Sequence, residues 1–251
     1  MTPHSQRLTR RALIGGFAFS GLVFAAPKRI RMGDTDFEVL RNGKSRWRFL
    51  HIHGDETTAR EILREAMKTQ KGTAVFVQIE KREIPIGGGT LDPNRMFSRE
   101  GAERNLVLQN PTWTPQQMKA ALDQLDRKRG AFLKAVLPPK GGILVALHNN
   151  SKGYSMKTEI PISDKVSTKE EGQMFNFLLA SNAKDFALLE KSPFNCVLQT
   201  NPAPPDDGSL SRLCAKRGIR YVNIEAALGD SAAQRAMLAW CLKNLPEKAG
   251  S

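Results

Sequence analysis

The chain is poor in cysteine: Cys196, Cys214 and Cys241 are the only three among its 251 residues. None of them has the C-x-x-C spacing that is typical of zinc-binding or redox motifs. An odd number permits at most one disulfide within the chain, and only in an oxidising compartment. If one forms, we favour the pair Cys196 and Cys214.

The chain also lacks internal repeats and long apolar runs. Residues 13–26 carry no charge, but this stretch is shorter than the roughly 20 apolar residues that span a membrane. It follows the pair Arg10 and Arg11, an arrangement that indicates an export signal. We therefore predict a signal over residues 1–26, a catalytic domain over residues 27–251, and no stable membrane span once the signal is removed. The arginine pair favours the twin-arginine route, with the general secretory route as the alternative, so we expect a periplasmic or secreted protein.

Acidic residues are scarce beside basic ones, with 25 Asp and Glu against 38 Lys and Arg and a net charge of +13. The predicted signal contains arginines and no acid, so the remaining chain is still strongly basic. A basic surface outside the cytoplasm favours anionic partners, such as a cell-wall polymer or a substrate with a carboxylate, although an ordinary solvated surface explains it equally well. Aromatic and basic residues are not interleaved in a stacking pattern, so we expect no nucleic-acid binding.

Apolar residues alternate between strand-like and helix-like spacing along the chain. We predict strands over residues 47–53, 73–80, 141–148, 194–200 and 219–225. We predict helices over residues 57–68, 114–137, 210–217 and 231–245, and a helix in two pieces over residues 173–190. Residues 81–113 show no regular pattern. This alternation predicts a single α/β domain, with a mixed, mainly parallel sheet covered by helices on both faces.

Four polar clusters lie at or beyond the ends of predicted strands. In WRFLHIHGDE, His53 and Glu56 follow the first strand, and DPNR at 92–95 lies in the loop region after the second. His148 ends GGILVALH, and Glu225 ends IRYVNIE. Because active groups collect at the carboxyl ends of strands in such sheets, we expect these clusters to form one site.

The four clusters, in this order, resemble the zinc carboxypeptidase superfamily. The residues that carry the resemblance are HGDE at 53–56, DPNR at 92–95, ALHNN at 146–150 and Glu225 in NIEA. This superfamily includes the metallocarboxypeptidases and the succinylglutamate desuccinylase and aspartoacylase branch. The resemblance extends from about residue 45 to about residue 245, and it implies a zinc carboxypeptidase-like fold with one zinc ion.

The resemblance implies a role for each cluster. His53, Glu56 and His148 would hold the zinc and leave a fourth position for water, and two nitrogens with one carboxylate suit a catalytic zinc. Glu225 would be the catalytic general base and acid. Without the resemblance, a solvent-facing Glu at a strand end would be the simpler interpretation of Glu225.

The DPNR segment would bind substrate and support the metal site. Asn94 and Arg95 would hold the free carboxylate of the substrate, for which an arginine fork is well shaped. Asp92 would accept a hydrogen bond from the ring nitrogen of His53 that does not bind metal. The segment also favours a turn for local reasons, and both interpretations can hold together.

The chain departs from the superfamily in three places. The arginine that stabilises the oxyanion has only a positional candidate, Arg82. The tyrosine that closes over substrate has only Tyr154 as a stand-in. The aspartoacylase branch has a second, β-rich domain after the catalytic Glu, and we expect it to be missing because the sequence after Glu225 is short. We expect His51 to be a buried, hydrogen-bonded histidine and Glu159 to lie on the surface.

These residues predict an exported, zinc-dependent hydrolase that cleaves an amide bond next to a free carboxylate. Our main expectation is a metallocarboxypeptidase that acts on peptides or cell-wall peptides. One alternative is an N-acyl amino acid deacylase of the succinylglutamate desuccinylase and aspartoacylase type. Another is a ligand-binding relative that has lost catalysis. The expected partner is a peptide or an N-acylated amino acid with a free carboxylate.

Overall fold

The computed structural model describes residues 28–150, 153–201 and 204–248. The predicted export signal at residues 1–26 lies outside these ranges. No helix within the described ranges is long and apolar enough to cross a membrane.

Eleven strands and seven helices alternate along the described residues. The strands are β1 (Lys28–Met32), β2 (Thr35–Asn42), β3 (Trp47–His51), β4 (Gly72–Val77), β5 (Ile84–Ile86), β6 (Gly89–Leu91), β7 (Ile143–Asn150), β8 (Lys165–Ser167), β9 (Phe177–Ala180), β10 (Asn195–Leu198) and β11 (Arg220–Ala227). The helices are α1 (Thr57–Ala66), α2 (Arg99–Gln109), α3 (Pro115–Val136), α4 (Met156–Glu159), α5 (Ala183–Leu189), α6 (Leu210–Lys216) and α7 (Ser231–Asn244).

Nine of the strands form one mixed sheet in the order β1-β2-β4-β3-β7-β11-β9-β10-β8. The central strands β4, β3, β7 and β11 are parallel to one another, as are β9 and β10. The other four pairings in this sheet are antiparallel. The predicted α/β class with a mixed sheet is confirmed, and its parallel part is the centre, where β3, β7 and β11 end side by side.

Hydrophobic cores cover both faces of this sheet. Along β7, Leu144 and Ala146 face one core, while Val145 and Leu147 face the other. Helices α2, α3 and α6 contribute to the first core, and α1, α5 and α7 contribute to the second. Burial on both faces explains why residues 143–147 of this strand are all apolar instead of alternating with polar residues.

Helix α3 begins as its sequence predicts. The Thr114 side chain accepts a hydrogen bond from the backbone N–H of Gln117, the Gln117 side chain caps the backbone of Thr114, and Pro115 is the first helical residue. This capping box satisfies N–H groups that the first helical turn leaves unpaired.

Several segments differ from their predicted structure. The helix predicted in two pieces over residues 173–190 is wrong in its first part, because Phe177–Ala180 is the buried strand β9 and only Ala183–Leu189 is helical. A run of four apolar residues does not distinguish a strand from a buried helix by its period. Helix α2 lies in the stretch without a regular pattern, and strands β1 and β2 precede the first predicted strand.

The favoured disulfide between Cys196 and Cys214 is absent, since all three cysteines are free and buried. Cys196 belongs to the core on one face of the sheet and Cys214 to the core on the other face. The sheet separates the two thiols, so the preference for this pair was wrong. Burial also raises the pKa of Cys196 to about 11, which keeps its thiol protonated.

Candidate metal centre

Three buried side chains meet at the carboxyl ends of β3 and β7. His53 and Glu56 lie in the loop between β3 and α1, and His148 lies on β7. One ligand atom from each residue lies within 4.8 Å of the other two. The strands are parallel neighbours, so the fold itself brings residues that are far apart in sequence to the same edge.

The glycine in HGDE allows this loop to pack closely. A Cβ atom at Gly54 would collide with the backbone carbonyl oxygens of Ile79 and Lys81. The Gly54 N–H instead donates a hydrogen bond to the Lys81 carbonyl at 3.1 Å. On the other side, the His51 ring lies 3.0 Å from the backbone carbonyl of Glu56. His51 is thus the buried, hydrogen-bonded histidine that the sequence predicts, and it helps to fix the loop that carries Glu56.

The donor set fits a bound divalent cation. Nδ1 of His53 lies 2.7 Å from Oε1 of Glu56, and Nδ1 of His148 lies 3.1 Å from Oε2. Oε2 is buried and makes no aligned hydrogen bond within the described residues, although a buried carboxylate oxygen normally has a partner. Two ring nitrogens converge on this carboxylate, and two nitrogens with one carboxylate oxygen are the ligands of many catalytic zinc sites.

The Asp92 carboxylate contacts His53 on the side of the ring that faces away from Glu56. Its Oδ1 lies 2.9 Å from Nε2 of His53, the ring nitrogen opposite the one that faces Glu56. The same oxygen accepts the backbone N–H of Asn94 at 2.8 Å at the start of a short 3-10 turn. Asp92 therefore starts a turn and also contacts His53. The interpretation of DPNR as a turn and its interpretation as part of the site hold together. Such a contact fixes the ring of a metal-binding histidine.

Charges near the cluster shift the pKa values of its members. Burial alone would lower the pKa of His53, but the carboxylates of Glu56 and Asp92 raise it to about 9. Burial would raise the pKa of Glu56, but His53 and His148 hold it well below its usual range. Glu56 is therefore ionised at neutral pH, as a metal ligand must be, whereas His53 carries a proton that a bound metal would displace.

Arg82 lies beside the same carboxylates. Its guanidinium donates a hydrogen bond to Oε1 of Glu56 at 3.0 Å and lies 3.8 Å from Oδ2 of Asp92. The side chain is 40% exposed, so part of the guanidinium is accessible to a ligand. Arg82, which the sequence offered only by its position as a candidate for stabilising the oxyanion, thus lies beside Glu56 of the cluster.

Glu225 faces the cluster from the neighbouring strand. It lies on β11 opposite His148 in the parallel register, and the Asn223 side chain donates a hydrogen bond to its Oε1 at 3.0 Å. Burial is the main cause that raises the pKa of Glu225 to about 7, against the opposing effect of His148. Glu225 is thus a buried carboxylate and not the solvent-facing residue of the simpler interpretation.

A cavity of about 350 Å³ opens over these groups. Asn94 and Arg95 reach it from the 3-10 turn: the Asn94 side chain accepts the backbone N–H of Leu210 at 3.2 Å, and Arg95 lies 3.6 Å from Asp207. The predicted site residues that line this cavity are His53, Glu56, Arg82, Asn94, Arg95, His148, Tyr154 and Glu225. Asp92 alone among the predicted residues lies behind it.

Sequence reasoning missed several residues of the cavity wall. Tyr221 and Asn223 line it together with Glu225, and this spacing by two residues was visible in IRYVNIE, because alternate residues of a strand share a face. Asp207, which contacts both Arg95 and Arg212, lies in a loop whose sequence gave no signal.

Glu159, expected on the surface, also lines the cavity. The Tyr154 hydroxyl donates a hydrogen bond to Oε1 of Glu159 at 2.7 Å, and the Gln199 side chain donates to Oε2 at 2.5 Å. Burial, followed by the charges of Glu225 and Glu159, raises the pKa of Tyr154 well above its usual value. Tyr154 is therefore a neutral hydroxyl that donates its proton to Glu159.

Comparison with known proteins found distant structural similarity only. No protein-family description matches the chain, and no curated protein does. Seven chains of solved structures match it. A product-bound ectoine utilization protein of Ruegeria pomeroyi is 17% identical, with a TM-score of 0.43 over 86% of this chain and 62% of that protein.

Two further solved structures are similar to the chain. A succinylglutamate desuccinylase/aspartoacylase of Rhodobacter sphaeroides is 15% identical, with a TM-score of 0.46 over 89% of this chain and 65% of that one. An aspartoacylase family protein of Mesorhizobium loti is 14% identical, with a TM-score of 0.44 over 89% of this chain and 67% of that one. The chain thus spans less than two thirds of the first two structures.

Proposed function

We propose that this protein is a metal-dependent hydrolase that cleaves an amide bond next to a free carboxylate. The observation that carries the proposal is that the buried donors of His53, Glu56 and His148 line the same cavity as the buried carboxylate of Glu225 and the guanidinium of Arg95. Metal ligands, a proton-transfer group and a carboxylate-binding group are the parts that such a reaction needs.

Zinc is the metal that the donor set fits best, and the proposed stoichiometry is one ion. His53, Glu56 and His148 would hold it, with Asp92 keeping the ring of His53 in orientation. When bound, zinc supplies a Lewis acid that polarises a carbonyl group and lowers the pKa of water to about 7.

Glu225 is the proposed general base and acid. Asn223 holds one oxygen of its carboxylate, which leaves the second oxygen to accept a proton from water and to pass it to the leaving nitrogen. Its burial keeps bulk water from competing for that proton. Removal of the carboxylate should stop turnover while the metal ligands stay in place.

The arginines of the cavity are the proposed anion-binding groups. Arg95, with Asn94 beside it, would receive the free carboxylate of the substrate, for which a guanidinium is geometrically suited. Arg82 lies next to the metal ligands and would stabilise negative charge that develops on the carbonyl oxygen. Tyr154 lies in the wall of the cavity, and its hydroxyl proton is donated to Glu159.

The size of the cavity favours an N-acyl amino acid as the substrate class. Its volume of about 350 Å³ is near the lower end of the roughly 300–1,000 Å³ typical of small-molecule sites. The runner-up is a metallocarboxypeptidase that acts on peptides or cell-wall peptides, with the basic composition assisting capture of an anionic polymer. A non-catalytic ligand-binding protein is the third candidate, and the complete donor set together with Glu225 argues against it.

One substrate panel separates these candidates. The zinc-loaded protein should be assayed on an N-acetyl amino acid, on the same compound with its carboxylate amidated, and on a tetrapeptide ending in the same residue. We expect hydrolysis of the first compound, at least tenfold slower hydrolysis of the second, and loss of activity after chelation that added zinc restores. Faster release of the terminal residue from the tetrapeptide would favour the carboxypeptidase, and zinc binding without any hydrolysis would favour the binding protein.

We also propose that the protein is exported to the periplasm or secreted. The support is the sequence of residues 1–26, with its paired arginines. Replacement of Arg10 and Arg11 by lysine should leave the precursor in the cytoplasm if the twin-arginine route is used. Unchanged export of this variant would point to the general secretory route, and the absence of the wild type from the exported fraction would contradict export.

A further inference from the structure

The Glu159 carboxylate lies in the wall of the cavity and is not part of the candidate metal centre. Glu159, at the end of α4, lines the cavity together with Tyr154 and Gln199. Each of its oxygens accepts one hydrogen bond, from the Tyr154 hydroxyl and from the Gln199 amide. Both donors are neutral, so they orient the carboxylate without cancelling its charge.

No cationic side chain among the described residues pairs with Glu159. Two other carboxylates of the cavity do have cationic neighbours, since Glu56 lies beside Arg82 and Asp207 lies beside Arg95 and Arg212. Within the described part of the chain, Glu225 receives only the Asn223 amide, but it lies on β11 opposite His148, beside the metal-binding cluster. A carboxylate oxygen has capacity for two hydrogen bonds, and each oxygen of Glu159 accepts one within the described residues. Glu159 therefore has room for an additional donor that comes from the cavity.

An apolar residue lies next to this carboxylate in the cavity wall. Ile162 follows Glu159 in a short 3-10 turn, lines the same cavity and is 50% exposed. An exposed isoleucine provides a contact for an aliphatic chain, and a carboxylate beyond it provides a contact for a cation. Long basic side chains have this composition, with an apolar stem and a charged tip.

We infer that Glu159 selects substrates whose side chain ends in an ammonium or guanidinium group. This inference rests on the proposed amide hydrolysis and names its substrate class: N-acylated basic amino acids, with the carboxylate at Arg95, the amide at the metal and the cation at Glu159. Opposite charges at the two ends of the cavity would orient the substrate before cleavage.

The test compares Nα-acetyl-L-lysine with Nα-acetyl-L-norleucine, whose side chain has the same aliphatic stem but no charge. Zinc-loaded wild-type protein should have at least a tenfold higher kcat/KM for N-acetyl-lysine, as a charge-assisted hydrogen bond implies. Glu159→Gln should remove this preference by lowering kcat/KM for the lysine compound, with the norleucine value changed less than about twofold. Glu159→Asp, which keeps the charge, should restore part of the preference.

Two results would overturn the inference while leaving the proposed hydrolysis intact. One is equal kcat/KM of the wild type for both compounds. The other is an equal loss on both compounds in Glu159→Gln, because that result would mean a structural role for Glu159. Thermal unfolding of each variant identifies a folding defect.

A binding measurement keeps the test independent of turnover. Calorimetry of the zinc-loaded wild type should give tighter binding of L-lysine than of L-norleucine, and Glu159→Gln should abolish the difference. If neither acetylated compound is hydrolysed, the N-acyl amino acid substrate class fails, and this calorimetric comparison still decides the role of Glu159. Equal affinities in the wild type would overturn it.

Discussion

The two ends of strand β11 bury charge in different ways. At its start, Arg220 donates hydrogen bonds to both oxygens of Asp185, at 2.7 to 3.1 Å. Near its other end, Glu225 receives one neutral amide hydrogen bond, from Asn223, and faces the cavity with Glu56. One end is a closed ion pair, and the other is an open group of acidic and basic side chains.

Three of the seven unpaired buried polar atoms among the described residues lie at the open end. The buried atoms without a hydrogen-bond partner include Oε2 of Glu56, Oδ1 of Asn150 and Oδ1 of Asn223, all from residues that line the cavity. The polar atoms of Asp185 and Arg220 are absent from this set for the described residues. An unpaired buried polar atom costs free energy unless a ligand can pair with it. We therefore infer that the Arg220 end of β11 is arranged for stability and the Glu225 end for a ligand.

The largest effect should follow removal of the carboxylate at the open end. We predict that Glu225→Gln lowers kcat by about 10²- to 10⁴-fold, the usual contribution of general acid–base catalysis. Zinc content, measured by atomic absorption, should not change, because Glu225 is not a proposed ligand. Full activity in this variant would show that another residue moves the proton.

Breaking the ion pair of Asp185 and Arg220 should affect the stability of the fold instead of the catalytic reaction. Asp185→Leu leaves the buried Arg220 without its partner and should reduce the free energy of unfolding by about 3 to 5 kcal/mol. Denaturant unfolding measures this loss. The double variant Asp185→Leu with Arg220→Met should recover much of it, since an apolar pair of similar volume often replaces a buried ion pair without cost. Loss of zinc affinity in the folded double variant would contradict the view that the Arg220 end of β11 serves stability and the Glu225 end serves a ligand.

A smaller effect should follow at the residue behind the metal ligands. Asp92→Asn removes the charge that contacts His53, and we predict a decrease in zinc affinity of about 10- to 100-fold, as for other such supporting residues. A competition titration with a chromophoric chelator measures the affinity. Glu61→Gln on the exposed side of α1 is the matched control and should bind zinc like the wild type. Equal affinities in all three proteins would remove the proposed role of Asp92.

The smallest effect should follow removal of the Arg95 guanidinium, and it should depend on whether the substrate has a free carboxylate. Arg95→Ala should lower kcat/KM by about tenfold for a substrate with a free carboxylate, the amount expected for a charge-assisted hydrogen bond. Its effect on the amidated substrate should be small. Arg104→Ala, at an exposed position of α2, serves as the control. Equal losses on the two substrates would assign Arg95 a structural role.

The sequence predicts the centre of the sheet and the cluster of His53, Glu56 and His148 because both depend on strong local patterns. β3 and β7 are mainly apolar strands that end in or just before polar residues, and Glu225 lies near the end of β11. The parallel arrangement of these strands was therefore enough to bring His53, His148 and Glu225 together. The geometric contact of Asp92 with His53 was also expected from the sequence. The roles of these residues in binding and catalysis stay predictions.

Other parts depend on contacts that local sequence does not encode. β9 has only four residues, and its assignment needs its neighbours β10 and β11 in the sheet. Glu159 enters the cavity wall through hydrogen bonds to Tyr154 and to the distant Gln199. β2 carried a detectable signal, because Phe37 and Val39 are buried and alternate with polar residues, but charged residues obscured it.

Metal binding by the full chain tests the central claim most directly. The measurement is the number of zinc ions bound per molecule after metal loading and dialysis, for the wild type and for Glu56→Gln, with thermal unfolding to verify that both are folded. We predict one zinc ion per wild-type molecule and a large loss of zinc in Glu56→Gln. A folded wild type without zinc, or equal zinc content in both proteins, would contradict a metal centre formed by His53, Glu56 and His148.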